Sequence, residues 1–169
     1  MLTETMQKAL NRQLNRELYS AYLYLSMAAY CDSKDMKGFA SWMKVQTQEE
    51  MTHAMKFYKY LEQSKARIFM DTIEAPQVEW ESVLSVFENV YSHEQKVTGL
   101  INNLVELAKK ENDATTGEIL KWFVKEQIEE EESAENAVKK IKETSLEKSK
   151  LDLLGQEMGK RKFKYPSSI

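Results

Sequence analysis

Apolar residues recur every three to four positions along most of this chain, the spacing that lays a stripe down one side of an α-helix. The first such segment runs from an N-cap at Thr3 to about Cys31. Its stripe reads Leu10, Leu14, Ala21, Tyr24 and Ala28, with Glu17 in the middle. Leu18, Tyr22, Leu25 and Ala29 form a second apolar face, so this helix is expected to meet another subunit as well as its own bundle. The second segment follows the turn Asp32-Ser33-Lys34-Asp35, with Asp35 as its expected cap. It runs to about Ser64 through Met43, Gln46, Phe57 and Tyr60. The third spans about Ser82 to Lys110, with the stripe Leu84, Phe87, Tyr91, Glu94, Thr98, Ile101, Val105 and Ala108. After a turn at Asn112-Asp113, Thr115 and Glu118 suggest a capping box. The fourth helix then runs to about Lys142 through Leu120, Phe123, Gln127, Glu130, Ala134, Ala137 and Ile141.

Residues 65–80 hold no helical period, and Pro76 breaks the run. So long a connection makes sense if it travels the length of the bundle. A helix of about 28 residues is roughly 42 Å long, and about 15 extended residues reach roughly 50 Å. The second and third helices are therefore expected to run parallel. The fold class is all-α: a four-helix bundle over residues 1–145 with one long crossover between its second and third helices. A short fifth helix is expected over 146–159, from Leu146 to Met158, with its end weakened by Gly155 and Gly159. The basic segment 160–169 reads as a frayed tail with no assigned role.

Composition narrows the function classes. Of 169 residues 30% are charged, and Gly and Pro number 5 and 2, which agrees with an all-helical chain. A net charge of −3 gives no reason to expect nucleic acid or an anionic membrane as partner. The lone Cys31 excludes a disulfide framework and a cysteine-ligated cluster held by this chain alone. No stretch reaches the roughly 18 apolar residues of a membrane span, and the first residues do not resemble a signal peptide, so a cytoplasmic location is expected.

The chemistry lies where acids interrupt the stripes. Glu50 and His53 stand three apart, one above the other on the inward face of the second helix. Alone, Glu-x-x-His is a weak signal. Two further regularities strengthen it. Glu17, Glu50, Glu94 and Gln127 each fall near the midpoint of their helix, so packed helices bring them to one level. Glu50 follows Glu17 by 33 residues, and Gln127 follows Glu94 by the same interval, the trace of two related hairpins. Glu17, Glu50, Glu94 and Glu130 in one apolar layer repel one another and are costly to desolvate. Two divalent cations would neutralise them, and carboxylates with one imidazole suit iron or manganese and admit zinc. By periodicity Tyr24 is equally a core tyrosine bonded to a glutamate, Gln127 a hydrogen-bonder beside the site, and His93 a surface residue.

The segments Arg16-Glu17-Leu18-Tyr19-Ser20-Ala21-Tyr22-Leu23-Tyr24, Gln48-Glu49-Glu50-Met51-Thr52-His53, His93-Glu94 and Trp122 to Glu131 resemble the signature segments of prokaryotic non-haem ferritins. The resemblance covers about residues 1–155. It implies a ferritin-like bundle that self-assembles into a 24-subunit cage and oxidises Fe(II) with dioxygen or peroxide at an intrasubunit dinuclear ferroxidase centre. It further implies storage of the product as ferric oxyhydroxide. In such a centre Glu17 and His53 would be terminal ligands of the first iron and Glu50 the bridge. Glu94 and Glu130 would hold the second iron, with Gln127 bonding to the site and Tyr24 contacting a ligand. A third iron position would take Glu49, Glu126 and Glu129 with Glu130.

The sequence departs from haem-binding bacterioferritins, which repeat Glu-x-x-His on the fourth helix where this chain has Gln127-x-x-Glu130. Met51 matches the position of their haem-ligating methionine, but an interface methionine is more often packing, and haem is not expected. Two other readings carry their own expectations. A di-iron or manganese oxygenase-type enzyme would retain stoichiometric metal beside an apolar substrate pocket. A helical scaffold without oxidation would be indifferent to loss of Glu50.

Overall fold

The computed structural model describes residues 2–165. Five helices form among them: α1 (Glu4–Ser33), α2 (Lys37–Gln63), α3 (Val83–Lys110), α4 (Ala114–Glu143) and α5 (Lys148–Met158). The described residues contain no strand, and the chain is all-α. None of its helices is long and apolar enough to cross a membrane.

Local chemistry explains the helix ends. Thr3 caps α1 by accepting the Met6 N–H at 3.1 Å. Ser82 and Ser85 exchange side-chain and backbone bonds at the start of α3. Two expected caps are corrected. Asp35 does not cap α2: its backbone is left-handed at φ 59, and the helix opens after Met36 with no side-chain cap. The fourth helix begins one residue before Thr115. Asp113 caps it by accepting the Thr116 N–H at 3.0 Å, which leaves Glu118 to pair with Lys121 on the surface. The fifth helix starts at Lys148, not Leu146, because Ser145 and Leu146 both take left-handed backbone at φ 52 and 58.

The crossover climbs α1 rung by rung. Asn11 bonds to the Arg67 carbonyl and the Phe69 N–H, Asn15 to the Asp71 carbonyl, Ser26 to that of Gln77, and Tyr30 to that of Trp80. It therefore delivers α3 to the end of the bundle where α2 begins, and α2 and α3 run parallel. At the far end Thr3 donates to Glu111, which fixes α1 and α3 as antiparallel neighbours.

The core falls into two apolar clusters. One gathers Met27, Phe39, Trp42, Met43, Phe87 and Ile141. The other gathers Leu10, Leu14, Phe57, Leu61, Ile101, Leu120 and Phe123. Cys31 is fully buried in the first cluster, and burial pushes its thiol up to about 12, so it stays protonated and unreactive.

The helix α5 folds back against the start of α2 with backbone touching backbone. A Cβ at Gly38 would lie 1.8 Å from the Gly155 carbonyl oxygen, and one at Gly159 would lie 2.9 Å from the Gly38 Cα. Gly155 and Gly159 thus serve close approach here, besides weakening the helix. Gly38→Ala is expected to cost about 1–3 kcal/mol, because two backbones must move apart. A denaturant midpoint checks it, and a midpoint equal to wild type would rule out this contact.

Candidate metal centre

Between the two apolar clusters lies a layer of buried polar side chains. Glu17 comes from α1, Glu50 and His53 from α2, Glu94 from α3, and Gln127 and Glu130 from α4. None is more than 5% exposed. Each continues the apolar stripe of its helix, so packing of that stripe draws the acids inward.

Glu17, Glu50 and His53 offer ligand atoms that lie within 4.8 Å of one another. His53 Nδ1 stands 3.6 Å from a Glu50 oxygen, and the ring packs edge-on against Trp122 and Phe123. A second group of the same tightness joins His53 to Glu126 and Glu130. Glu94 enters neither group. Tyr24 donates to one of its oxygens and Gln127 to the other at 3.1 Å, and together they fix the orientation of its carboxylate. An ion drawing on Glu94 would compete with these two bonds.

Burial is the main cause of raised carboxyl pKa values throughout the layer. It pushes Glu17 well up, with the Glu50 charge adding to it. Glu50 and Glu130 rise well above the usual range for the same reason, with repulsion from Glu94 reinforcing both. Glu94 rises by burial, opposed by its bonds from Tyr24 and Gln127. The Tyr24 phenol is also held well above its ordinary pKa by burial and by the Glu94 charge.

The donor set fits small divalent cations. Hard oxygen donors outnumber the single imidazole, and burial raises the proton affinity of the carboxyls. A cation entering such a layer releases protons and meets ligands already in place.

Other expected site residues lie as follows. Glu126 is half-buried and part of the second group. Glu49 faces Arg161, whose Nη2 stands 2.5 Å from its carboxylate. Glu129 is not drawn in; its side chain is 60% exposed and its nearest cation is Lys125 at 3.5 Å. Met51 sits at the surface, 43% exposed. His93 is not the expected surface residue. It is half-buried, 2.8 Å from Ser20 Oγ, and edge-on to the Tyr24 ring, and burial lowers its pKa to about 4.

Two supporting residues escaped the sequence reading as partners of the acids. Gln13 donates to Glu17 and Gln46 donates to Glu130, each at 2.6 Å. For Gln13 the signal was present, since it stands four residues before Glu17. Arg161 carried no such signal.

Known proteins share this arrangement of chain and fold. A family model described as a ferritin-like domain matches residues 7–144. The bacterial non-heme ferritin of Staphylococcus aureus (strain USA300) is 36% identical over 163 residues, covering 96% of this chain and 98% of that relative. Its counterpart from Staphylococcus epidermidis is 37% identical with the same coverage. Among solved structures, a humanized archaeal ferritin superposes with a TM-score of 0.96 at 49% identity, covering 97% of this chain and 99% of its own. An open-pore ferritin from the hyperthermophilic archaeon Archaeoglobus fulgidus gives 0.95 at 47%, covering 96% and 99%. With matches of this extent along nearly its whole length, the chain belongs to the ferritin family, on its prokaryotic non-haem branch.

Proposed function

We propose that this protein stores iron, oxidising Fe(II) with dioxygen or peroxide at the buried acid layer and holding ferric oxyhydroxide inside a 24-subunit cage. The observation that carries this reading is the close group Glu17, Glu50 and His53, adjoined by Glu130 and Glu126, at mid-height of a closed bundle. Two Fe(II) ions side by side each give one electron to a shared oxygen molecule. With two protons from water, that molecule reaches the level of hydrogen peroxide. The carboxylates favour the harder Fe(III) product. The site must also release what it makes, and protons are ready to return to the acids as iron departs.

In this reading Glu17 and His53 hold one iron, Glu50 bridges, and Glu130 with Glu94 holds the second. Gln127 and Tyr24 set the orientation of Glu94. Glu126 serves the next position outward, and Glu49 joins it when released from Arg161. Glu129 would have to swing in from the surface to take part.

Self-assembly draws support from the outer face of α1, where Tyr22 and Leu25 are each 49% exposed. Contiguous apolar surface of this kind marks a protein interface.

The test is to add many equivalents of Fe(II) aerobically to the purified protein, follow Fe(III) absorbance, and size the product. Iron far in excess of two per chain should co-elute with a particle of several hundred kilodaltons. Retention of about two ions per chain without further growth would overturn storage and favour an oxygenase-type bundle.

A further inference from the structure

After α5 the chain turns back and lies along α2. Ser41 Oγ donates to the Gly159 carbonyl, and the Arg161 guanidinium sits over the Trp42 ring at 4.7 Å. The same guanidinium donates to Gln46 Oε1 at 2.7 Å and to Glu49 Oε2 at 2.5 Å. Gln46 is fully buried, and its amide nitrogen donates onward to Glu130 Oε2 at 2.6 Å. Glu130 in turn shares the second ligand group with His53 and Glu126. A cation from the C-terminal segment is thus connected to the acid layer through one amide.

We infer that Arg161 is a tethered cation that competes with metal for the position beside the dinuclear centre, holding Glu49 and, through Gln46, Glu130 until an ion displaces it. This rests on the metal-centre reading above. A guanidinium cannot be neutralised by losing a proton, so it leaves only by movement of the segment. Its planar fork is satisfied on two sides, by the Gln46 oxygen and the Glu49 carboxylate. That arrangement also fixes the Gln46 amide with its NH2 toward Glu130. An ion arriving at Glu49 and Glu126 must break the Arg161–Glu49 bond. An ion drawing on Glu130 must break the bond from Gln46. Arg161 therefore acts as a positioning residue that sets how readily iron passes outward from the centre. A part that served only to anchor the tail would pair with any surface acid. This arginine instead reaches an acid one residue from Glu50, 112 positions earlier in the chain.

The test uses the full-length assembled protein and Co(II), which is redox-inert here and reports its ligands through visible absorption. Wild type, Arg161→Gln, Glu49→Gln and the double variant are titrated anaerobically. Arg161→Gln should bind an additional Co(II), or bind its last Co(II) about tenfold more tightly. The gain should vanish when Glu49→Gln is added. Arg161→Lys, which keeps the charge but not the fork, should give an intermediate isotherm. Isotherms for Arg161→Gln that match wild type, or a gain that survives Glu49→Gln, would overturn the role of Arg161 while leaving the centre intact. Absence of Co(II) binding that depends on Glu50 and His53 in every variant would overturn the metal-centre reading itself, and the inference with it.

Discussion

Glu50→Ala is expected to abolish the fast phase of aerobic Fe(II) oxidation, slowing the initial rate about 100-fold. That factor corresponds to about 2.7 kcal/mol at 1.36 kcal/mol per decade. The effect is large because Glu50 holds the central place. It is 2% exposed, lies in one ligand group with Glu17 and His53, and raises the pKa of Glu130 by its charge. An alanine takes the third member from the group with Glu17 and His53, so in the proposed centre two irons would no longer sit side by side. Stopped-flow absorbance under single-turnover iron loading measures it. Glu118→Ala, which removes only an exposed pair with Lys121, should oxidise iron at the wild-type rate. A fast phase that persists in Glu50→Ala would mean that oxidation happens elsewhere.

The second large effect concerns stability without metal. Carboxyls at Glu17, Glu50, Glu94 and Glu130 have pKa values raised by burial. In the unfolded chain they titrate near 4.3. Such groups bind protons more tightly when folded. Their contribution is therefore full below the unfolded value and is lost as pH climbs through the raised ones. The chelator-treated protein is expected to melt at steadily lower temperature from about pH 5 to pH 8. Each unit of separation accounts for about 1.36 kcal/mol per proton. Added Zn(II) should reverse the trend, since a cation replaces the protons and binds best where they are lost. Glu50→Gln, which keeps the shape and removes one charge, should flatten the slope for the metal-free protein and weaken the rescue by Zn(II). A melting temperature that holds or rises over this range in chelator would show that the acids are not buried as described.

Much of the bundle was legible because its signals are local and periodic. The stripes of α1 to α4 put Glu17, Glu50, Glu94 and Glu130 inward, and all four are buried. The length of the crossover implied a parallel α2 and α3, and the ladder from Asn11 to Tyr30 bears that out. Helix starts were less legible. A cap at Asp113 rather than Thr115 depends on one backbone turn, and Asp35 was disqualified by a left-handed φ that an aspartate tolerates. His93 misled because it adjoins Glu94. Residues about 100° apart on α3 can both face a neighbour when that helix packs against two others. Glu129 lies among consecutive glutamates that cover every face, so periodicity could not sort it. Arg161 was beyond reach for another reason. Its partners stand 112 and 115 residues away, and nothing in a basic tail announces where it will land.

The acid layer also partitions the interior. Among the described residues the two apolar clusters share no side chain, so the acid layer separates two apolar regions strung on the same four rods. Cohesion across mid-height then depends on what fills the gap: shared protons at low pH, cations when loaded. The bundle is therefore expected to be stiffest when cations occupy the layer and most compliant without them at neutral pH.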